Sequence, residues 1–277
     1  MHVTEASSMS GSGRDGGRLF TPRTPRIVAA RRLQRRRDRD QSGRFLAEGP
    51  QAVAAALEAG VVLELFGTPG GIAKHASLGH SSVGLDATPV TEEALAALSE
   101  TVHPQGLVAV CEQVDVPVSA LAGRRLTAVL ADIRDPGNAG TILRTADAAG
   151  AGAVVFAGDA VDPYNGKCVR ASAGSLFHVD VVRSRSAVDV VATLRDTGVR
   201  VLAATGYGDV SLDDLVDDGS LAAPTAWLFG SEAHGLSPEL LAAADARVRV
   251  PLYGGAESLN LAAAAAVCLY ASARAQR

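Results

Sequence analysis

The sequence lacks the features that mark several common classes of protein. Its 277 residues include only three cysteines, which are far apart and have no CxxC or metal-ligand spacing. Separated cysteines in an odd number are typical of a reducing compartment rather than of a disulfide framework. The sequence also has no P-loop, paired-histidine metal motif or serine nucleophile elbow. Nucleotide-hydrolysing and metal-dependent enzymes therefore have no support, and we expect no metal site.

Long hydrophobic runs are missing as well. Residues 1–20 lack the apolar core of a secretory signal, and the longest apolar run, 261–271, is too short to cross a bilayer. We therefore predict a cytoplasmic protein without a membrane segment. Apolar residues make up 47% of the chain and charged residues 20%, so it can form packed globular domains. The length is sufficient for two domains, each with its own core.

Arginine is unevenly distributed along the chain. Eleven arginines lie between positions 14 and 44 against three aspartates, a net charge of +8 in a chain whose total is −4. One interpretation is a solvated arm with no partner. The other is a surface that binds RNA, because guanidinium groups match phosphate oxygens and binding releases counterions. The candidate RNA-binding residues are Arg31, Arg32, Arg35, Arg36 and Arg44.

The pattern of apolar segments predicts two α/β domains. Residues 1–24, rich in Ser, Gly, Arg and Pro, are predicted to be disordered. A compact first domain is expected over 25–113, followed by a linker over 114–125. A longer β-α repeat over 126–277 predicts a mostly parallel sheet that is covered on both faces. Ligands of such sheets bind beyond the carboxyl ends of the strands.

Apolar periodicity also predicts the individual elements of both domains. In the first domain we expect a helix through 31–39, a strand opening at 45–46, a helix over 51–59, strands over 61–66, 83–85 and 106–111, and a helix capped by Thr91. In the second domain the predicted strands are 127–133, 153–157, 199–205, 225–229 and 248–252. The predicted helices are about 139–150, 186–197, 238–244 and 258–274.

Three strand-to-helix turns of the second domain carry polar residues. In the first turn, Asn138 is suited to cap the next helix, and Arg144 falls on the polar face of that helix. Taken alone, Arg144 is more simply explained as a surface partner of Asp147. In the second turn, Gly230 would let a ligand approach the backbone closely. Glu232 is equally compatible with an ordinary turn carboxylate.

The third turn leads into the last helix of the chain. It contains the segment Glu257-Ser258-Leu259-Asn260 a few residues after Pro251. Ser258 is the expected N-cap of the helix, and Asn260 would be an incidental polar residue of its first turn. The whole chain has three asparagines, and two of them, Asn138 and Asn260, lie at these turns.

In this order and spacing, the three turns closely resemble the signature motifs of the SpoU/TrmH family of RNA ribose methyltransferases, N-x5-R, F-G-x-E-x-x-G and P-x5-E-S-L-N. The resemblance is strong over 125–275. It extends more loosely over 26–112, which looks like an L30e-like RNA-binding domain, on the phrases FLAEG at 45–49 and HPQG at 103–106. The resemblance implies an α/β fold in which a parallel-sheet SPOUT domain with a deep trefoil knot follows a smaller L30e-like α/β domain.

The resemblance also implies the cofactor and the residues that hold it. S-adenosylmethionine would bind in a bent pose between the knot loops, and the lack of GxGxxG after the first strand of the second domain agrees with this. The implied cofactor-binding residues are Thr205, Gly206, Phe229, Gly230, Glu232, Gly235, Val250, Leu252, Ser258, Leu259 and Asn260. The implied catalytic residues are Asn138, Arg144, Glu232, Ser258 and Asn260.

Arg144 is the position to which the family assigns catalysis. A guanidinium with a pKa above about 12 is a poor general base, so we expect Arg144 to orient the ribose 2'-hydroxyl and the adjacent phosphate. The resemblance implies that Asn138 and Arg144 reach the cofactor of a second subunit, and therefore a homodimer. We expect 23S ribosomal RNA as substrate, because an L30e-like domain suggests docking on folded RNA. Transfer RNA, methylation of a base and a non-catalytic RNA assembly factor are the alternatives.

Overall fold

The computed structural model describes residues 19–79 and 86–277, which form two α/β units, each with its own sheet. The strand predicted at 83–85 lies outside the described residues, as does most of the tail predicted to be disordered. Within that tail, however, Phe20 forms a β-bridge with Val90 and packs against the apolar core of the first unit. Phe20 therefore belongs to the first unit although it precedes the predicted boundary, because its aromatic side chain is held by the core.

The first unit has, among its described residues, a sheet in the order β1-β4-β2-β3. β4 is antiparallel to β1 and β2, and β3 is parallel to β2. Its strands are β1 (Arg44–Glu48), β2 (Val62–Gly67), β3 (Thr88–Pro89) and β4 (Leu107–Glu112), and its helices are α1 (Pro25–Arg32), α2 (Arg36–Ser42), α3 (Pro50–Glu58), α4 (Pro69–Lys74), α5 (Ala76–Gly79) and α6 (Glu92–Leu98). Thr91 caps α6 as predicted, accepting a hydrogen bond from the backbone N–H of Ala94.

The arginine-rich segment forms two helices, so the prediction of one helix through 31–39 is wrong. α1 ends at Arg32 and α2 begins at Arg36. Leu33 is buried at the break, and the backbone carbonyls of Leu33 and Gln34 accept hydrogen bonds from the guanidinium of Arg39. The break between α1 and α2 is stable because the side chain of Arg39 supplies the donors that these two carbonyls would have in a continuous helix.

The second unit has an eight-stranded sheet in the order β10-β12-β9-β11-β6-β7-β8-β5 among the residues described, and every pairing in it is parallel. Its strands are β5 (Asp115–Val116), β6 (Leu126–Ala131), β7 (Ala153–Ala157), β8 (Asp180–Ser184), β9 (Arg200–Ala204), β10 (Val210–Ser211), β11 (Thr225–Phe229) and β12 (Ala246–Arg249). Its helices are α7 (Pro136–Ala148), α8 (Gly166–Ser172), α9 (Ala187–Asp196), α10 (Leu212–Asp217), α11 (Pro238–Ala243) and α12 (Leu261–Ala275).

Several segments of this unit differ from the prediction, which contained no counterpart of α8, β8, β10 or α10. The predicted linker contributes β5, which pairs with β8 at one edge of the sheet, and a 3-10 helix over Val118–Leu121 that buries Leu121. The predicted strand 248–252 and helix 258–274 both shift, because β12 ends at Arg249 and α12 begins at Leu261. The loop 250–260 between them is largely exposed, so its apolar residues do not mark a buried strand.

Helices cover both faces of the large sheet, which confirms the predicted arrangement. Alternate residues of β6 point to opposite faces, with Leu130 in one apolar cluster and Val129 in the other. The first cluster includes residues of α7, α8 and α12, and the second includes residues of α9 and α11. The first cluster also continues into the N-terminal unit through Phe45. Among the residues described, no helix is long and apolar enough to cross a membrane.

Candidate active site

The first two motif turns start side by side. β6 and β11 are neighbouring parallel strands, both completely buried, and Phe229 lies opposite Leu130 in their register. The turns that follow these strands therefore leave the sheet at the same edge, which is where parallel sheets bind ligands.

The first turn ends in a helix cap that differs from the prediction. Asp135 is the N-cap of α7, and its carboxylate accepts a 2.9 Å hydrogen bond from the backbone N–H of Asn138. Asn138 itself lies in the first turn of the helix, so its side chain is free to reach another loop. Pro136 at the first helical position is the sequence signal that could have identified Asp135 as the cap.

A lysine supports this cap from the next helix. Lys167 of α8 donates a 2.8 Å hydrogen bond through Nζ to Oδ1 of Asp135. This hydrogen bond lowers the pKa of the Asp135 carboxyl, with a smaller contribution in the same direction from the backbone N–H of Asn138. Lys167 was not among the predicted site residues.

The second turn closes on itself. Ser231 and Gly235 exchange two backbone hydrogen bonds, of 3.1 and 2.8 Å. A Cβ on Gly230 would lie 2.2 Å from the carbonyl carbon of Gly235, so the close approach of the chain's own backbone already requires a glycine here. Phe229 as a whole residue is 1% exposed, and its ring is stacked on Trp227. In this structure it therefore offers almost no surface to a cofactor.

The third turn crosses the edge of the sheet to reach the first two. β12 is separated from β6 by β9 and β11, yet the loop 250–260 brings Asn260 back to the start of α7. Asn260 caps α12, accepting hydrogen bonds from the backbone N–H groups of Ala262 and Ala263. The prediction of Ser258 as the cap is therefore wrong. Ser258 is exposed and has no hydrogen-bond partner among the described residues.

One hydrogen-bonded network joins the three turns. Asn138 donates through Nδ2 to Oε1 of Glu232 at 2.9 Å. Its other amide atom, Oδ1, accepts from Nδ2 of Asn260 at 3.2 Å. Each of the three residues comes from a different motif, so the structure brings together side chains that are far apart in the sequence.

An apolar groove lies next to this network. Val250, Leu252 and Leu259 line it, and its volume is about 380 Å³. Its size and apolar walls are typical of small-molecule sites. Two further lining residues, Asp213 and Tyr253, were not predicted. The hydroxyl of Tyr253 donates to the carboxylate of Asp213, and this hydrogen bond raises the pKa of Tyr253.

The predicted cofactor residues after β9 lie beside β12. The backbone N–H of Thr205 donates to the carbonyl of Val248 at 2.9 Å, and Gly206 is exposed. The same loop contacts β12 closely at Gly208, where a Cβ would meet the backbone N of Arg249 at 2.4 Å. Thr205, Gly206 and Gly208 thus belong to the loop between β9 and β10, which packs against β12.

Arg144 lies on α7, six residues after Asn138, which corresponds to about 9 Å along the helix axis. Its side chain is exposed and has no ion-pair or hydrogen-bond partner within the described parts of the chain. Asp147 instead lies 2.9 Å from Nδ1 of His178. The simple surface pairing of Arg144 with Asp147 is therefore wrong, and the guanidinium is available to a ligand.

The candidate RNA-binding arginines are exposed. Arg32 and Arg36 have acidic partners, Asp38 at 3.0 Å and Asp40 at 3.6 Å. Exposed ion pairs of this kind contribute little and can be exchanged for phosphate. The five candidates are Arg31, Arg32, Arg35, Arg36 and Arg44, and Arg37 beside them is exposed as well.

Comparison with known proteins gives consistent matches for both units. Residues 125–270 match the SpoU rRNA Methylase family, and residues 24–109 match an MRM3-like substrate binding domain. The chain is 35% identical over 243 residues to the 23S rRNA (guanosine(2553)-2'-O)-methyltransferase RlmP of Bacillus subtilis, covering 87% of this chain and 92% of that protein. It is 34% identical over 252 residues to the 23S rRNA (uridine(2479)-2'-O)-methyltransferase of Streptomyces viridochromogenes, with coverages of 87% and 86%.

A solved structure agrees over almost the whole chain. The crystal structure of AdoMet-bound rRNA methyltransferase from Sinorhizobium meliloti matches with a TM-score of 0.79 at 32% identity, covering 93% of this chain and 97% of that one. All three motif turns lie within the residues matched to the family. The resemblance inferred from those motifs is confirmed, and the chain belongs to the SpoU rRNA methylase family.

Proposed function

We propose that this chain transfers the methyl group of S-adenosylmethionine to a ribose 2'-hydroxyl of 23S ribosomal RNA. The observation that carries the proposal is the network of Glu232, Asn138 and Asn260, which unites the three motifs beside an apolar groove. The two curated relatives described above are named as 2'-O-methyltransferases of 23S ribosomal RNA. Activity on ribosomal RNA implies that the protein acts in the cytoplasm.

The residues around the groove fit S-adenosylmethionine. Val250, Leu252 and Leu259 offer apolar surface to the adenosine. Gly206 does not line the groove but is exposed in the loop after β9, where its backbone can meet a polar part of the ligand. Glu232 and Asn260 lie at the network end of the site and can accept or donate hydrogen bonds there. When bound, the cofactor supplies a methyl group that its sulfonium has already activated.

The role of the protein in this reaction is to align the ribose. A 2'-hydroxyl is a weak nucleophile at neutral pH, so the reaction depends on its position and orientation. Arg144 presents an unpaired guanidinium that can hold the 2'-hydroxyl and the adjacent phosphate in a fork of hydrogen bonds. Because a guanidinium keeps its proton at neutral pH, Arg144 acts as a donor, and the proton of the 2'-hydroxyl would pass to solvent water. Asn138 fixes the start of the same helix against Glu232 and Asn260.

A homodimer completes the proposed site. Apolar side chains remain exposed around the groove, including Leu259, Val267 and Tyr270, which are 39%, 43% and 51% exposed. A second copy packed on this face would bury them and bring its Arg144 to the groove of the first copy. We expect light scattering to give the mass of a dimer at micromolar concentration. A monomer that retains full activity would contradict this part of the proposal.

The central test is to map ribose methylation in total RNA from cells with and without the gene. We expect one 2'-O-methylated nucleotide in 23S ribosomal RNA to disappear without the gene. It should return when the gene is restored, and should not return with the variant Arg144→Ala. The purified protein should transfer radiolabel from S-adenosylmethionine to a 23S transcript. Labelling of transfer RNA or of a base instead, or no labelling of any RNA, would contradict the proposal.

A further inference from the structure

Arg39 differs from the other described arginines of the N-terminal cluster because it is buried. The side chains of Arg39 and Asp162 are 4% and 3% exposed. Nε and Nη2 of Arg39 donate to Oδ2 of Asp162 at 2.8 and 2.7 Å. Nη1 donates to the carbonyls of Leu33 and Gln34, both at 2.9 Å. With these partners satisfied inside the protein, Arg39 cannot bind RNA.

The ion pair joins the two units of the chain. Arg39 belongs to α2 of the N-terminal unit, whereas Asp162 lies between β7 and α8 of the methyltransferase unit. The exposed candidate arginines Arg31 and Arg35 lie in α1 and just before α2, next to the element that carries Arg39. The pair therefore anchors the part of the chain that we expect to dock RNA.

The segment that holds Asp162 is attached on its other side to the first motif turn. The backbone N–H of Val161 donates to the carbonyl of Ile133 at 2.8 Å. The N–H of Asp159 donates to Oδ1 of Asp132 at 2.7 Å. Asp132 and Ile133 immediately precede the turn that leads to Asn138. The segment 158–167 thus lies between the arginine-rich helices and the turn that positions Asn138.

A second contact from the same segment reaches the N-cap residue of α7, the helix that carries Arg144. Asn165 caps α8, and Lys167 at the start of α8 donates to Asp135. Asp135 in turn holds the backbone N–H of Asn138. Both ends of the segment are therefore fixed to residues that position the start of α7.

The junction between the units is packed, which distinguishes it from a hinge. The rings of Phe45 and Tyr164, one from each unit, have centroids 4.7 Å apart. Within the methyltransferase unit, the ring of Tyr164 is held in place because its hydroxyl donates to Asp115 of β5 and accepts from the backbone N–H of Val114. Arg170 of α8 lies 3.0 Å from Glu48 of β1. These contacts let the orientation of one unit determine that of the other.

We propose that Arg39 is a positioning residue for methyl transfer, and that its ion pair with Asp162 fixes the distance from docked RNA to the reacting ribose. This inference rests on the proposed function. The two units act as one rigid body, so a nucleotide is methylated only when its distance from the docked segment matches the span of the protein. Site selection then depends on an interaction that touches neither RNA nor cofactor.

The main test variant is the double substitution Arg39→Met/Asp162→Asn, which removes both charges and also the hydrogen bonds from Nη1 to the carbonyls of Leu33 and Gln34. In Arg39→Met/Asp162→Asn no uncompensated charge is buried. The amide oxygen of the new asparagine can still accept the hydrogen bond that the backbone N–H of Tyr164 donates to Oδ1 of Asp162. The control is Arg195→Met/Asp245→Asn, which removes a more exposed ion pair of 3.2 Å contained within the methyltransferase unit. Arg39→Lys is a second variant, which keeps the charge but loses the planar fork.

The substrate is an in vitro transcript of 23S ribosomal RNA, and the readouts are kcat, KM, the affinity for S-adenosylmethionine and the positions methylated. For Arg39→Met/Asp162→Asn we expect kcat to fall roughly ten- to hundred-fold, as for a small misplacement of reacting groups. KM should change less than about twofold, since the docking arginines remain, and methylation should spread to additional nucleotides. Arg39→Lys should show the same changes to a smaller degree. The control should match the wild type.

Three outcomes would overturn the inference. One is wild-type kcat at a single nucleotide in both Arg39 variants. Another is a parallel loss of cofactor affinity and RNA affinity, which would mean that the pair only stabilises the fold. The third is lost activity of the charge-free variant with methylation still confined to a single nucleotide, since a displaced docking segment should let other nucleotides reach the site. A wild-type protein that methylates no RNA would instead refute the proposed function itself.

Discussion

Asn138 and Asn260 lie 122 positions apart in the chain and are joined by a 3.2 Å hydrogen bond from Nδ2 of Asn260 to Oδ1 of Asn138. The bond connects the first turn of α7 with the N-cap of α12. Both polar atoms of the Asn138 side-chain amide are used, so its orientation is set by Glu232 at Nδ2 and by Asn260 at Oδ1. The start of the helix that carries Arg144 is thereby tied to both other motif turns.

The network predicts the effect of Asn138→Ala. Two hydrogen bonds are removed, each contributing about 0.5–1.5 kcal/mol. If they hold the transition-state geometry, kcat should fall roughly ten- to hundred-fold. Steady-state kinetics with the 23S transcript measure this. Thr193→Ala, which removes a hydroxyl that bonds only within α9, is the control and should keep wild-type kcat. A normal kcat in Asn138→Ala would show that the network has no part in the reaction.

Arg144→Lys tests whether the guanidinium geometry matters. Lysine keeps the positive charge but cannot offer the planar fork, so kcat should fall roughly hundredfold. Arg144 is exposed and without described partners, so thermal stability and cofactor affinity should stay at wild-type values. Arg195→Lys serves as a control at another exposed arginine. Near-wild-type turnover of Arg144→Lys would rule out a specific guanidinium role.

The exposed arginines can be tested by substitution but not by truncation. Removing residues 1–44 would delete Ile27, Ala30 and Leu33, which are buried in the core of the N-terminal unit. Replacing Arg31, Arg32, Arg35, Arg36 and Arg44 by Gln instead should weaken RNA binding. It should also reduce the salt dependence of binding, by roughly 0.7–0.9 in slope for each phosphate that is no longer neutralised. Filter binding at several salt concentrations measures both. Unchanged affinity would support the solvated-arm interpretation.

Ser272 stabilises the packing of the last helix on the sheet. Trp227 is fully buried, and its Nε1 donates to the hydroxyl of Ser272 at 2.9 Å. Ser272→Ala leaves the indole N–H unpaired, so the free energy of unfolding should fall by about 1–3 kcal/mol. Urea denaturation measures the change. In the background of Trp227→Phe, which has no indole N–H, the same substitution should cost much less. Equal costs in both backgrounds would contradict this account.

The pair of Asp135 and Lys167 predicts a pH dependence of stability. Because the hydrogen bond from Lys167 lowers the pKa of Asp135, the contribution of the pair is fully present above the unfolded value of about 3.9. It is lost as the pH falls through the lower pKa of the folded state. Asp135→Asn keeps a side chain that can cap α7 but lacks the ionisation. Its unfolding free energy should fall less steeply than that of the wild type below about pH 4, as measured by urea denaturation across pH. Parallel curves for the two proteins would contradict the prediction.

The local pattern of apolar and polar residues was sufficient to predict many of the strands and helices. β7 and β11 have the predicted bounds, because apolar runs of this short length between turn residues are typical of buried strands. The helix caps were harder to predict. Asn138 and Ser258 are good cap residues in isolation, yet Asp135 and Asn260 hold these positions. A propensity describes what a residue can do locally, and the neighbouring loops decide which candidate does it.

The amino-acid sequence by itself determined the order of the motifs, the parallel β-α repeat and the family. Each single motif, strand or helix is marked by residues only a few positions apart. Tertiary structure alone decided that Asn138 meets Glu232 and Asn260, and that Arg39 is withdrawn from the RNA-binding cluster to pair with Asp162. These partners are 94 to 123 positions apart. Hydrophobic periodicity reports which face of an element is buried, but contacts at such separations depend on how whole elements pack against each other.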